Sequence, residues 1–477
     1  MSRRPDQGAC GAPDQVWIDG GTIPVAGEYD VIVVGGGPSG VAAAIAAARR
    51  GARTALIERA AFLGDTATGA MVASFMGFYW MDHRVVGGIG FELTQRLEHR
   101  GASSGFGRYV LAEASDQSLD VITFPFDPET LKIVLDEMLV EAGVHPYLHA
   151  QAISALEEDG VCVGVVYQGV IGRKALRGRT IIDASANGSI AVSAGAAREE
   201  ARQDPRRRQP MTQVARLVDV DVARFRRLPQ PAKQHLARRG LERGVLTQKL
   251  LSVLSSPHGD DAIVLMTRVS ERDGTDEQQL ALAEIEGRQL VSRLIPFLRA
   301  EVPGFENARL GTLASWIGVR ETWRVIGDYV ITGDDVRVGN SFGDAIALGT
   351  GPLDTHHSAG GGLSLAVPER PFQIPYRALL PRNVDGLITT GRCVSATREG
   401  MAGLRHMGTV MAMGQAAGTA AALAAGQGVS PRAISPSAIQ EALTRDGAII
   451  TAADAVPFTD PETAEQRTSA RWSGGTA

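Results

Sequence analysis

The segment from Tyr29 to Gly40, with Glu58 behind it, restricts the fold more than any other part of the chain. Residues 29–34 (Tyr-Asp-Val-Ile-Val-Val) are an apolar run of strand character. Gly35-Gly36-Gly37-Pro38-Ser39-Gly40 is a turn, and the alanine-rich residues 42–50 read as a compact helix. Thr54-Ala-Leu-Ile is a second strand that ends on Glu58. Gly35, Gly37 and Gly40 fit the spacing G-x-G-x-x-G: the first for a tight turn, the second for close approach of a pyrophosphate, the third for helix–strand packing. Pro38 and Ser39 fall at the helix start, where free N–H groups and the dipole favour phosphate. Glu58 can accept the hydroxyls of an adenosine ribose. A lone glycine pattern arises by chance, but here strand, turn, helix, second strand and acid stand in order.

The motif alone fits NAD or FAD. Two features favour FAD. The motif lies near the start of a long chain, and no second strand–glycine turn–helix–strand–acid unit for a nicotinamide cofactor follows. Arg59 follows the acid and could suggest a 2′-phosphate. Glu58 would repel that phosphate, so Arg59 reads as an adenine neighbour or a surface charge.

With 477 residues, 44% of them hydrophobic, the chain can bury a large core in about two to three domain-sized units. The net charge of −5 argues against a nucleic-acid partner. Cys10, Cys162 and Cys393 form no C-x-x-C, which speaks against a disulfide framework or a metal site and fits a reducing cytoplasm. The first 27 residues carry no apolar signal core. Residues 410–425 are apolar but built of Ala, Gly, Met and Thr and shorter than a membrane span, so they read as a buried helix. The expectation is a cytoplasmic protein without a membrane partner; oligomeric state is left open.

Along the chain, residues 1–27 read as a lead with a short strand near Val16–Ile18, and 451–477 as a tail. Helices are expected near Phe91–Arg100, from Asp127 (N-cap) and Pro128 to about Ala142, and over Asp273–Leu298. Residues 145–148, 150–157, 161–167 and 173–183 read as strands, the pattern of a small β-meander inserted in a nucleotide-binding domain. Residues 310–332 are expected to return to strands, and 339–364 to form a glycine- and histidine-bearing loop. Arg206, Arg207, Arg208, Arg226, Arg227, Arg238 and Arg239 read as a solvated surface in preference to an anion site. The expected division is an FAD-binding domain from residues 28–75, 120–200 and 370–450, and a substrate or cap domain from 76–119 and 201–369.

Near the C-terminus, residues 384–392 read as a strand entering a glycine turn at Gly391-Arg392. A helix of small residues follows, containing Gly414-Gln415-Ala-Ala-Gly418. Such a unit allows close approach to a planar cofactor, and helix N–H groups can stabilise charge on a reduced flavin. It also reads as a second packed β–α unit.

With these pieces in view, the chain resembles the bacterial FAD-dependent oxidoreductases labelled FAD_oxidored, over roughly residues 28–450. The resemblance rests on residues 29–40 with Glu58; Phe62-Leu-Gly-Asp-Thr-Ala-Thr68; Ile181-Ile-Asp-Ala-Ser-Ala-Asn-Gly188; residues 318–329 and 374–381; Gly391-Arg-Cys-Val-Ser-Ala-Thr397; and Arg405, Met407 and residues 414–418. It implies an α/β fold: a Rossmann-like, glutathione-reductase-type FAD-binding domain with the inserted β-meander, and a second α+β substrate domain. It implies that Gly35, Gly37, Gly40 and Glu58 form the ADP site, with Arg59 beside them. It implies that Asp183 lies on a second FAD-contacting strand, that Gly391 and Arg392 lie beneath the ribityl chain and flavin, and that Gly414 and Gln415 belong to the cofactor region. Asp65 stands where the family usually has a glycine, and Asn187-Gly188-Ser189 replaces a Gly-Asp-containing run.

Flavin carries the redox chemistry, and the protein positions substrate and tunes protons. His356, in Asp354-Thr-His356, is the first choice for acid/base work, with a structural histidine as the alternative. His406 stands beside Arg405 ahead of the small-residue helix. Arg320 and Arg324, four apart, either grip a substrate carboxylate or pair with Glu321 and Asp328. Cys393 lacks a nearby second cysteine and reads as a buried core residue. The expected function is an FAD-dependent dehydrogenase or oxidase that takes hydride from a small organic substrate and passes electrons to dioxygen or a separate carrier. The alternatives are an NAD(P)H-using monooxygenase and a flavoprotein subunit of a larger redox assembly.

Overall fold

The computed structural model describes residues 22–111, 119–199, 208–257, 259–357 and 362–459. The expectations for Val16–Ile18, Cys10, Arg206, Arg207 and the tail beyond residue 459 lie outside these ranges.

The glycine motif folds as its pattern requires. Strand β1 (Val25–Val34) leads through the turn into helix α1 (Pro38–Arg49), and strand β2 (Thr54–Ile57) returns parallel to β1, with Val31 opposite Thr54. The parallel core extends on one side to His145–Tyr147, and on the other to the strand Arg173–Asp183 and then Leu387–Thr389. Its register sets Val34 opposite Asp183, so the glycine turn meets the loop that begins at Ala184. The early part of the 173–183 strand also pairs antiparallel with Val161–Gln168, which pairs in turn with Gln151–Glu158. These three strands form the expected meander without its first member, since His145–Tyr147 joins the parallel core instead, and the sheet has seven strands in all. The fold is α/β with a parallel-strand sheet.

Small residues bring the helices together. The helix Met407–Gln427, buried along most of its length, crosses α1 so closely that a Cβ on Gly414 would lie 2.1 Å from the Ser39 carbonyl oxygen. At Gly418 the same atom would lie 2.0 Å from the Ala43 carbonyl oxygen. Two neighbouring helices complete this layer: α2 (Gly88–His99) and α3 (Pro128–Glu141), whose N-cap Asp127 accepts from the Thr130 N–H as expected. No helix among the described residues is long and apolar enough to cross a membrane.

A second core forms around a four-stranded antiparallel sheet ordered Val253–Ser255, Asp261–Val264, Ala215–Val218 and Arg309–Leu313. Val291, Leu294 and Phe297 of the helix Glu277–Glu301 pack against it. This core holds only part of the expected cap. Phe78, Ile89, Leu93 and Phe106, from the 76–119 segment grouped with the cap, are packed in the first core with Val31 and Val41.

Two local expectations are corrected. Residues 339–364 contain the strands Ala345–Gly349 and Leu353–His356, because Leu348, Leu353 and their neighbours are buried and pair with Phe372–Pro375 and Leu363–Ala366. Residues 314–323 hold no regular strand; beyond Leu313 the short strand Arg324–Val325 pairs with Arg198–Glu199, and Gly318, Gly327 and Ile331 make only isolated bridges.

Candidate functional site

The site begins where β1 stops. Gly35 turns the chain with φ of 103°, and a Cβ there would lie 2.5 Å from the Ala184 carbonyl oxygen. Only glycine fits both the angle and the approach. At Gly40 the missing Cβ would fall 1.8 Å from the Gly35 oxygen, so the helix starts directly against the turn. Gly37 is the N-cap of α1 and faces a groove; no side chain caps this end, and Pro38 opens the helix. The Ser39 hydroxyl is turned inward, 2.8 Å from Thr390 Oγ1.

Glu58 lies at the same end. Its carboxylate accepts from the Gly36 N–H at 2.6 Å and the Ala60 N–H at 2.8 Å, which locks the turn to β2. Burial pushes its carboxyl pKa up, opposed by these two hydrogen bonds. Each oxygen keeps a lone pair for a further donor, and Glu58 lines the groove. Arg59 is exposed, with its guanidinium carbon 5.9 Å from the centre of the Trp316 ring. Trp316 also lines the groove and stacks on Phe62 at 5.5 Å with the rings 1° from parallel. Gly69 has no side chain because the Trp316 ring fills that space. Sequence reasoning missed Trp316, since no pattern around it marks it out. It is brought over the groove by the segment that leaves the second core.

From Glu58 the groove runs past Gly35, Gly37 and Asp65 to Arg392, over a floor formed by residues 184–187. Arg392 donates to Thr322 Oγ1 at 2.9 Å and Asn187 Oδ1 at 3.3 Å. Burial lowers its pKa. Gly391 precedes it with φ of 79°. A backbone cradle free of Cβ atoms, a helix N-terminus without a side-chain cap and a buried acid, joined to a long groove, fit an extended dinucleotide.

Pro38, Ser39, Gly40 and Gly391 adjoin the groove without lining it, and Asp183, Gly414 and Gln415 stand behind it. Asp183 is fully buried and accepts from the N–H groups of Ser185, Ile190 and Ala191, so its carboxylate is used to hold the floor loop. Gly414 serves the contact with α1 described above. Gln415 is buried, and its Oε1 accepts from the Ile89 N–H at the start of α2. Each positions the cradle by packing or capping.

Beyond Arg392 the character changes. Val319 lines the groove, and the next residue is Arg320. Around Arg320 gather Arg268, Arg405, Asp354 and His356, close enough for their charges to act on one another. Asp354 and His356 lie two apart on one strand and so share a face. Arg405 donates to Asp354 Oδ2 and to its carbonyl oxygen, both at 2.9 Å. The His356 Nε2 lies 3.1 Å from Asp354 Oδ1, and its Nδ1 lies 2.9 Å from Arg268 Nη2. Arg268 also donates to the Gly362 carbonyl oxygen at 2.7 Å.

This geometry favours the alternative given for His356, a structural histidine. Burial, then the Arg320 charge, lowers its pKa to about 3, so the ring is neutral at pH 7. Neutral, it accepts from Arg268 at Nδ1 and donates from Nε2 to Asp354, leaving no lone pair for a substrate proton. It is a link between two charges, not a base with a free site. His406 is also buried, with its pKa lowered to about 4, chiefly by desolvation and then by Arg405. Its Nε2 lies 3.0 Å from the Pro352 carbonyl oxygen, and it serves as N-cap residue of the helix 407–427.

The arginine pairings also differ from expectation. Arg324 pairs with Glu199, Glu321 with Arg398, and Asp328 with Arg432. Arg320 donates to the Pro210 carbonyl oxygen and, among the described residues, has no carboxylate partner. The pair Arg320 and Arg324 is split because the intervening backbone is irregular. Arg208 pairs with Asp273, and Arg239 with Glu301. Cys393 is buried with its thiol against the Asp183 and Thr390 carbonyl oxygens; burial raises its pKa and leaves it unreactive.

The FAD dependent oxidoreductase family matches residues 30–443, and the chain belongs to that family. FAD is accordingly its cofactor. Digeranylgeranylglycerophospholipid reductase 2 of Methanopyrus kandleri is 32% identical over 169 residues, which are 33% of this chain and 37% of the relative. A dihydrolipoyl dehydrogenase of Trypanosoma brucei brucei is 54% identical over 44 residues, 9% of each chain. The M. kandleri match thus spans little more than a third of that relative's length. Among solved structures, a geranylgeranyl bacteriochlorophyll reductase-like protein of Thermoplasma acidophilum aligns over 88% of this chain and 83% of its own, with 15% identity and a TM-score of 0.46.

Proposed function

We propose that this FAD-dependent oxidoreductase is a dehydrogenase or oxidase of a small organic molecule, with electrons passing on to dioxygen or a separate carrier. The observation that carries the reading is one continuous path: the groove from Glu58 along the N-terminus of α1 to Arg392, ending beside the polar cluster around Arg320. In this reading the ADP portion of the cofactor lies between Glu58 and Gly37, in a fold of the glutathione-reductase type. The second core, with the segment 314–320, is the substrate domain.

Bound FAD supplies a hydride acceptor. The chain supplies placement and charge. Glu58 would hold the ribose hydroxyls, the N-terminus of α1 the pyrophosphate, and Arg392 the end of the groove nearest the chemistry. His356 and His406, both neutral and hydrogen-bonded, keep their neighbours oriented and add no charge. The cationic cluster favours a substrate that carries or develops negative charge.

The test is anaerobic reduction of the purified yellow protein by a panel of small acids, alcohols and amines, without NAD(P)H. Bleaching by a substrate alone is expected. Bleaching only by NAD(P)H, and faster with substrate present, would replace this reading with a monooxygenase. A colourless protein that takes up no FAD would end both.

A further inference from the structure

We propose that Arg320, Arg268 and Arg405 form a binding site for the carboxylate of an organic acid, which makes the substrate a carboxylate-bearing molecule. This rests on the functional reading above and narrows it.

The first argument is charge. Among the described residues, three guanidinium groups lie within electrostatic reach of a single carboxylate, Asp354, because the nearby Glu321 is held by Arg398. His356 adds no charge as a neutral ring. Arg268 is 3% exposed, and the Arg405 and Asp354 side chains are 15% and 12% exposed. An excess of two positive charges away from water is costly unless an anion completes it.

The second argument is unfilled donors. Arg405 spends only Nη2 on Asp354; its Nε is buried with no hydrogen-bond partner among the described residues. Among the described residues, Arg320 spends only Nη1, on the Pro210 carbonyl oxygen. Guanidinium edges are thus left open on two arginines, while Arg268 is fixed by Gln248, Gly362 and His356. A planar fork with an open edge matches a carboxylate in two parallel hydrogen bonds.

The third argument is position. Arg320 directly follows Gly318 and Val319, which line the groove, and Arg392 at the groove's end feels the charge of Arg405. An acid bound here would lie next to the cofactor path.

The inference is tested on FAD-loaded protein by titration with acetate and succinate, with acetamide, succinamide and inorganic phosphate as controls. The readouts are perturbation of the bound-flavin spectrum and thermal shift. Saturable binding of a carboxylate is expected, with its amide at least tenfold weaker. Arg320→Gln and Arg405→Gln should each weaken it at least tenfold at unchanged FAD content. If Arg405→Gln does not fold, Arg320→Lys decides: it keeps the charge, loses the fork, and should still weaken binding several-fold. Equal binding of acid and amide, preference for phosphate, or indifference to all these substitutions would overturn the inference. If carboxylates leave the flavin untouched while neutral alcohols or amines bleach it, the inference falls and the functional reading stands. If carboxylates bind through Arg320 but no substrate reduces the flavin, the site stands and the functional reading falls.

Discussion

The two ends of the groove are built on different principles. The Glu58 end is made of backbone. Glycines let strand, turn and helix approach, the helix end supplies its charge, and the parts lie within 30 residues of sequence from Tyr29 to Glu58. The Arg320 end is made of side chains brought from residues 268, 320, 354, 356 and 405, where Asp354 and His356 hold two of the three arginines. The first fails when an atom is added. The second fails when charge is changed.

The largest expected effect comes from adding atoms at the backbone end. Gly414→Val would place its Cβ 2.1 Å from the Ser39 carbonyl oxygen, and neither backbone can move without separating the two helices. The cost should exceed about 4 kcal/mol, in the range diagnostic of a broken core contact. Loss of folded protein, or a steep fall in melting temperature with no bound FAD, is the outcome to measure. A stable, yellow variant would show that the small-residue crossing does not set the cradle.

Next in size is the response of the charged end to acid. Unfolded, His356 and His406 would titrate near 6.5; folded, burial and the neighbouring arginines lower them to about 3 and about 4. Between those limits the unfolded chain binds protons that the folded chain does not. Stability therefore rises with pH through this window and is lost as pH falls below 6.5. The groups that face the two rings are Arg268, Arg320, Arg405 and Asp354, and Asp354, held well below the usual carboxylate range, stays ionised throughout. Each tenfold rise in proton concentration below pH 6.5 costs about 1.4 kcal/mol per ring, so pH 5 should cost roughly 2 kcal/mol for each. Urea midpoints at pH 7.5 and pH 5 measure the loss. His406→Gln, which keeps a donor for the Pro352 carbonyl, should remove about half of it, and an undiminished loss would exclude His406 as a source.

This contrast also explains what the sequence could and could not disclose. The fingerprint from Tyr29 to Glu58, the meander and the small-residue helix were legible because spacing within one segment fixes them. Asp183, Gly414 and Gln415 were picked out at positions that matter, but their work is to cap and pack. Sequence marks a demanding position without saying which neighbour makes the demand. Of the cluster, Arg320, Arg405 and the run Asp354-Thr-His356 stood out in the sequence, whereas Arg268 sits in an unremarkable stretch and joins them only through the meeting of the second core with strand 353–356. The same holds for Trp316 over the groove. The expected joint action of Arg320 and Arg324, on a carboxylate or on Glu321 and Asp328, was not met, because four-residue spacing implies neighbours on a helix and this backbone is not helical.

A third effect tests whether Glu58 belongs to both turn and ligand. Glu58→Ala removes the acceptor for two backbone N–H groups and the one acidic side chain at the end of β2. Hydrogen bonds to a charged group are worth about 1.5–3 kcal/mol, so FAD affinity should fall about 10- to 100-fold. Quenching of Trp316 fluorescence by added FAD, with Trp316→Phe as control, gives the dissociation constant. Unchanged affinity would remove Glu58 from the ribose role and leave it as a turn fastener.

The smallest expected effect bears on Asp65, an acid beside the turn of the cradle. Asp65 lines the groove with its carboxylate next to Gly37, and its backbone is left-handed at φ of 38° without being glycine. Both features work against an anionic ligand at the N-terminus of α1: the angle stores backbone strain, and the charge repels phosphate. Asp65→Gly relieves both. Its expected outcome is FAD binding tightened several-fold, with the gain shrinking as salt rises because screening already weakens the exposed part of the repulsion. Asp65→Asn separates the causes, since it removes the charge and keeps a side chain that tolerates the left-handed region. If Asn reproduces the gain, the charge governs this end after all, and the division between a backbone-made and a charge-made site holds only for the turn itself. If Gly tightens binding and Asn does not, conformation governs, and the backbone account extends to the whole phosphate cradle.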